Sequence, residues 1–161
     1  MAEGRVLYAL QDDVYVLKFI GDIRFSICTA VDQFIQHVFG QEKKIPVLVD
    51  MLETDSVDST ALGVLAQVAI KMRETFNQKP TLLVASHDLN TILQSVCFDQ
   101  VFTILQQQKS GGAGQFTELE QVESSEKEFA EQVLRAHQNL MAISPKNKAM
   151  FMDVTALIKK Q

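Results

Sequence analysis

Two kinds of hydrophobic pattern alternate along the first hundred residues, and their order constrains the fold more than any other feature of this sequence. Short runs rich in β-branched and aromatic residues stand at 6–10 and 14–20, with Gln11-Asp12-Asp13 as the turn between them. Further apolar runs at 47–49, 81–85 and 101–105 read as strands. Between these runs the apolar spacing is helical. One helix is expected from a Ser26 cap to about Phe39, through Ile27, Ala30, Val31, Phe34, Ile35 and Val38, with Gly40 as a left-handed stop. A second is expected from about Thr60 to Phe76, ended by Asn77 and Pro80, and a short third passes through Leu89, Ile92, Leu93 and Val96. The order β-β-α-β-α-β-α-β implies an α/β fold, a mixed and mostly parallel sheet of about five strands with helices packed on it and right-handed crossovers.

The chain divides at Gln106. Residues 1–105 read as the α/β domain, and 106–116, which contain Gly111-Gly112-Ala113-Gly114, as a flexible linker. That glycine cluster lacks the Lys-Ser/Thr of a phosphate loop. Residues 117–161 read as a helical extension: one helix from Ser124 or Ser125 to about Ile143, a break at Ser144-Pro145, and a second helix from Lys146 to about Lys159. A two-helix hairpin cannot bury its own apolar face, so Phe129, Leu134, Met150, Phe151 and Leu157 must meet either the domain or a second interface, such as a homodimer.

Charge and composition narrow the function classes. Twenty acidic against fifteen basic residues give a net charge of −5, which disfavours direct nucleic-acid binding. With 47% hydrophobic and 22% charged residues the chain is globular in composition, and no apolar run is long enough for a membrane span. The N-terminal residues lack the layout of a secretory signal, so a cytoplasmic location is expected. Cys28 and Cys97 read as buried thiols, and His37, His87 and His137 are scattered without zinc spacing, so no metal or cofactor is implied.

The most informative segment is Asp58-Ser59-Thr60-Ala61-Leu62-Gly63, where an acidic, hydroxyl-rich loop (residues 53–60) passes into a helix. The first N–H groups of a helix lack intrahelical partners and its dipole is positive there. A hydroxyl at this point either caps the helix or marks a place where a phosphate can be held. Asp55, Ser56, Asp58 and Ser59 compete for the cap.

Val47-Leu48-Val49-Asp50, eight residues, and then Asp58-Ser59-Thr60-Ala61-Leu62-Gly63 resembles the STAS domain of bacterial anti-sigma factor antagonists, as does the Gly21-Asp22-Ile23 turn. The resemblance covers residues 6–105. It implies a protein that is not an enzyme, which binds an anti-sigma factor that is also a serine kinase, is phosphorylated at Ser59, and is reset by a serine phosphatase. Asp22, Asp55, Ser56, Asp58, Ser59 and Thr60 are then the expected partner face, with Ser56 and Thr60 as rival phosphorylation sites. Ala61 stands where glycine is commoner, Ser56 where a bulky apolar residue is usual, and the last fifty residues have no counterpart. The alternative implied by the same fold is a STAS module that binds a small ligand or serves as a scaffold, without phosphorylation.

Two further features have double readings. Along the helix after Ser59, Leu62, Leu65, Ala69, Met72 and Phe76 form the core stripe; Val64 and Val68 beside it either widen that core or extend the partner face. His87-Asp88 could with Ser59 form a hydrolase-like set, but Asp88 reads better as a helix cap.

Overall fold

In the computed structural model, which describes residues 3–108 and 114–159, the first two strands form a tight hairpin. β1 (Arg5–Gln11) pairs antiparallel with β2 (Val14–Ile23), with Gln11 opposite Val14. Asp12 and Asp13 both adopt positive φ, 51° and 60°, the conformation that a two-residue turn between right-twisted strands requires. A 3-10 turn (Phe25–Ile27) leads into α1 (Cys28–Gly40). Then follow β3 (Val47–Val57), α2 (Ser59–Phe76), β4 (Thr81–Val84), α3 (His87–Ser95), a second 3-10 turn (Phe98–Gln100) and β5 (Thr103–Gln106).

β2, β3, β4 and β5 run parallel as neighbours, and β1 lies antiparallel outside β2, so the domain is α/β with a mixed, mostly parallel sheet, as expected. A sixth strand was not foreseen. β6 (Thr117–Glu118) pairs antiparallel with the outer side of β1, giving the order β5-β4-β3-β2-β1-β6. Two residues carry too little periodicity to announce a strand. In this order β5 and β6 lie at opposite edges of the sheet. The centre of the expected linker, residues 109–113, lies outside the described residues.

The core is built on alternate residues of the central strands. Leu17, Phe19, Val49, Leu82 and Val84 are fully buried, with Val31, Ile35 and Val38 of α1 and Leu65 and Val68 of α2. Cys28 and Cys97 are buried free thiols.

Several local expectations need correction. The Gly21-Asp22-Ile23 turn and residues 53–57 of the expected 53–60 loop are in fact paired strand: Gly21 lies opposite Thr54, Asp22 opposite Ser56 and Ile23 opposite Val57, with register shifts at Lys18/Ile20 and Gly21/Asp22. Parallel pairing and a Thr54 hydroxyl donating to the Phe19 carbonyl (2.8 Å) override the polar, loop-like composition. Ser26 lies inside the 3-10 turn and caps nothing; the free N–H of Phe25 is taken by Asp58 instead. Gly40 is the last residue of α1 without a positive φ, and the Lys44 ammonium bonds the Phe39 carbonyl (2.8 Å) at that helix end. The cap of α3 is Ser86, whose hydroxyl accepts from Leu89 N–H, while Asp88 sits in the first turn. By contrast Asn77 ends α2 in the left-handed conformation, φ 53°, as its position suggests.

The C-terminal hairpin joins the same core. α4 (Glu126–Met141), capped by Ser125, packs along α2, and α5 (Pro145–Lys159), capped by Ser144, folds back on α4. Ala136, Leu140 and Phe151 are buried with the domain's core residues. Asn147 is wholly buried and donates to the Val96 carbonyl (2.7 Å) and the Leu140 carbonyl (2.9 Å), tying both helices of the hairpin to the end of α3. On the opposite side of α5, Met150, Met152 and Leu157 are exposed.

Candidate functional site

The site forms where β2 and β3 end beside the start of α2. Asp58, in extended conformation just before the helix, is the N-cap: one carboxylate oxygen accepts from Ala61 N–H at 2.8 Å. The other oxygen accepts from Phe25 N–H, also at 2.8 Å, so one side chain fixes both the start of α2 and the loop after β2. Of the four candidates for the cap, Asp58 therefore takes it, which leaves the neighbouring hydroxyls for other partners.

Ser59, the first residue of α2, is half-buried. Its Oγ lies 3.0 Å from Nε2 of His137 on α4. The other ring nitrogen, Nδ1, lies 2.8 Å from the Val133 carbonyl. A carbonyl only accepts, so Nδ1 donates to it; in the tautomer this selects, Nε2 is the acceptor and the Ser59 hydroxyl the donor. His137 is buried and its ring packs edge-on against Phe151. The histidine that meets Ser59 is thus His137, not the exposed His87, and it was missed because no local pattern joins residues so far apart.

The rival hydroxyls have different surroundings. Ser56, in β3, donates to the Asp22 carboxylate across the paired strands, and Arg24 bonds the same carboxylate at 2.9 Å. The Ser56 hydroxyl, and after it Arg24, hold the Asp22 carboxyl below its usual range. Thr60 is buried, and Asp55 is exposed. The expected partner residues Asp22, Asp55, Ser56, Asp58 and Ser59 are therefore brought to one end of the sheet.

Val64 and Val68 do not extend that face. They are 4% and 0% exposed, inside the common core. At roughly 100° per residue they point about 140° and 180° away from Ser59 around α2, so the side chains that follow Ser59 outward are others.

Those others are covered by α4. Asn139 donates to the Gly63 carbonyl at 3.2 Å, and a Cβ on Gly63 would run into the backbone of Ala136. Further along the two helices, Ala66, Ile70, Arg73, Asn139, Ala142 and Ile143 line a cavity of about 390 Å³, whose rim includes Lys79. Among the described residues no His/Cys/Asp/Glu group could hold a metal ion, and no helix is long and apolar enough to cross a membrane.

No family model matches the chain, and neither does any curated protein. Among solved structures, the fold is similar to the anti-sigma factor antagonist SpoIIAA in its unphosphorylated form, at 14% identity and a TM-score of 0.48, over 56% of this chain and 81% of that one.

Proposed function

We propose that this chain is a STAS-type anti-sigma factor antagonist in a bacterial, cytoplasmic partner switch. Unphosphorylated, it binds and sequesters an anti-sigma factor that is also a serine kinase, through the face around Ser59. In the transfer that ends the complex, Ser59 Oγ bonds to the γ-phosphorus of the kinase's ATP, the bond to ADP breaks, and the hydroxyl proton passes to a base of the kinase. A serine phosphatase restores the first state. The chain is a substrate here and not a catalyst.

The observation that carries this reading is Ser59 as the first residue of α2, directly after a capping aspartate. The helix N-terminus offers unpaired N–H groups and positive potential to a phosphate, while its charge of about −1.5 to −2 repels a partner that had buried a neutral hydroxyl. A phosphate on Ser56 would instead face the Asp22 carboxylate, and Thr60 is buried.

The test is intact-mass spectrometry of the protein from its native cell, with and without phosphatase, followed by site mapping. One phosphate on Ser59, absent after Ser59→Ala, is the expected result. No phosphate while the kinase is active and the phosphatase absent, or a phosphate that persists in Ser59→Ala, overturns the reading. The ligand-binding alternative is favoured by the cavity between α2 and α4, with Arg73 and Lys79 at its margin; it calls for a nucleotide-induced rise in melting temperature without any kinase present.

A further inference from the structure

The side of α2 that carries Ser59 is already occupied. At roughly 100° per residue, Gly63, Ala66 and Ile70 fall within about 40° of Ser59, forming one seam along the helix. α4 lies on this seam in the same chain direction: His137 at Ser59, Asn139 at Gly63, and Ala142 and Ile143 beside the cavity with Ala66 and Ile70. Glycine at 63 is what lets the two backbones approach, since any side chain there meets Ala136. Thr29 of α1 donates to Gln132 at 3.1 Å, and Phe129 packs against Phe25 at 5.2 Å between ring centroids, so α4 also covers the loop next to Asp58.

We propose that the C-terminal hairpin is an autoinhibitory lid over the Ser59 face. Docked, α4 holds the Ser59 hydroxyl on His137 and covers the seam, closing the residue to a phosphoryl donor and to a partner. Lifted, it frees both. A phosphoryl group on Ser59 replaces the hydroxyl proton and adds three oxygens where 3.0 Å now separates the two side chains, so the docked contact is not kept unchanged. This inference rests on the reading of Ser59 as the switching residue.

The two native thiols report the motion. The Cys97 sulfur accepts from the Ser144 hydroxyl of the hairpin at 3.3 Å, whereas Cys28 is buried in α1. In the full chain, Gly63→Ala should raise the rate of Cys97 modification by a thiol reagent at least about tenfold and leave Cys28 protected, a shift expected of local opening without global unfolding. His137→Ala, which keeps Gly63, should act in the same direction. The same variants should speed phosphorylation of Ser59 by the serine kinase isolated with the chain. Parallel changes at both thiols in both variants, or faster Cys97 labelling with an unchanged phosphorylation rate, overturn the lid. Absence of Ser59 phosphorylation in parent and variants alike overturns the switching role itself, and the lid with it.

Discussion

Ser59 Oγ lies 3.0 Å from His137 Nε2, hydrogen-bonded across 78 positions of sequence, so the one hydroxyl singled out by the motif is held by a residue of the C-terminal hairpin. The pair joins the start of α2 to the middle of α4. Loss of either member leaves the other with an unmade bond in a largely buried setting. Ser59→Ala and His137→Phe should each lower unfolding stability by about 1–2 kcal/mol, and the double variant by less than their sum. Urea unfolding of the four chains gives the coupling; strict additivity would show that the pair does not hold the helices together.

Asp58 satisfies two backbone donors, Ala61 N–H and Phe25 N–H, each at 2.8 Å. Removing its carboxylate uncaps α2 and frees the loop after β2. Asp58→Ala should cost about 2–3 kcal/mol, more than an ordinary cap, and Asp58→Asn less. Denaturant midpoints compare the two, and hydrogen exchange at Phe25 should accelerate in Asp58→Ala.

Asp22 supplies a pH dependence on the acid side. The Ser56 hydroxyl, then Arg24, lower its carboxyl from the usual 3.8. A group held lower in the folded chain stabilises it above the unfolded value and loses that contribution as pH falls through the folded one. NMR titration should therefore find Asp22 below 3.8, and Ser56→Ala should move it upward. An unchanged titration in Ser56→Ala would rule out the hydroxyl as the main cause.

Cys28 acts on the alkaline side. Burial first, then the charges of Asp58 and Asp32, push its thiol from 9.0 up to about 12. The unfolded chain gives up this proton while the folded chain keeps it. Stability from the protonated thiol is therefore whole below pH 9.0 and drains away as pH climbs toward 12. The unfolding midpoint should fall across that window, and Cys28→Val should flatten the fall.

Asn147 should dominate the stability of the hairpin. Its amide donates to the Val96 and Leu140 carbonyls in a fully buried position. Asn147→Ala leaves both carbonyls with one bond fewer and opens a small cavity, at a cost of about 2–4 kcal/mol. The loss should appear in hydrogen exchange of α5 before that of the central strands.

The strand and helix order was legible because each element carries its own period, and the Asp58-Ser59 helix start because caps have strong residue preferences. The helix ends at Asn77 and at Ser144-Pro145 were legible for the same local reason. What escaped depends on distant partners. The Phe25 N–H is satisfied by Asp58, 33 positions away, so Ser26 was a plausible cap with nothing to do. Residues 53–57 look like a loop until β2 is laid beside them. Val64 and Val68 were ambiguous between core and surface because the width of a helix's buried face depends on what flanks it on both sides. His137 left one trace: it shares an apolar face with Val133, Ala136 and Leu140, and a polar ring on such a face requires a partner.

The strand β6 anchors Thr117–Glu118 to β1, and only seven residues, 119–125, separate it from α4. A detached α4 would therefore stay tethered within reach of α2, at an effective concentration on the order of millimolar. Any competitor for that surface must outbid a neighbour that never diffuses away. The tether thus sets an affinity threshold, so weak, adventitious binders are refused while a dedicated one at sufficient abundance gets through.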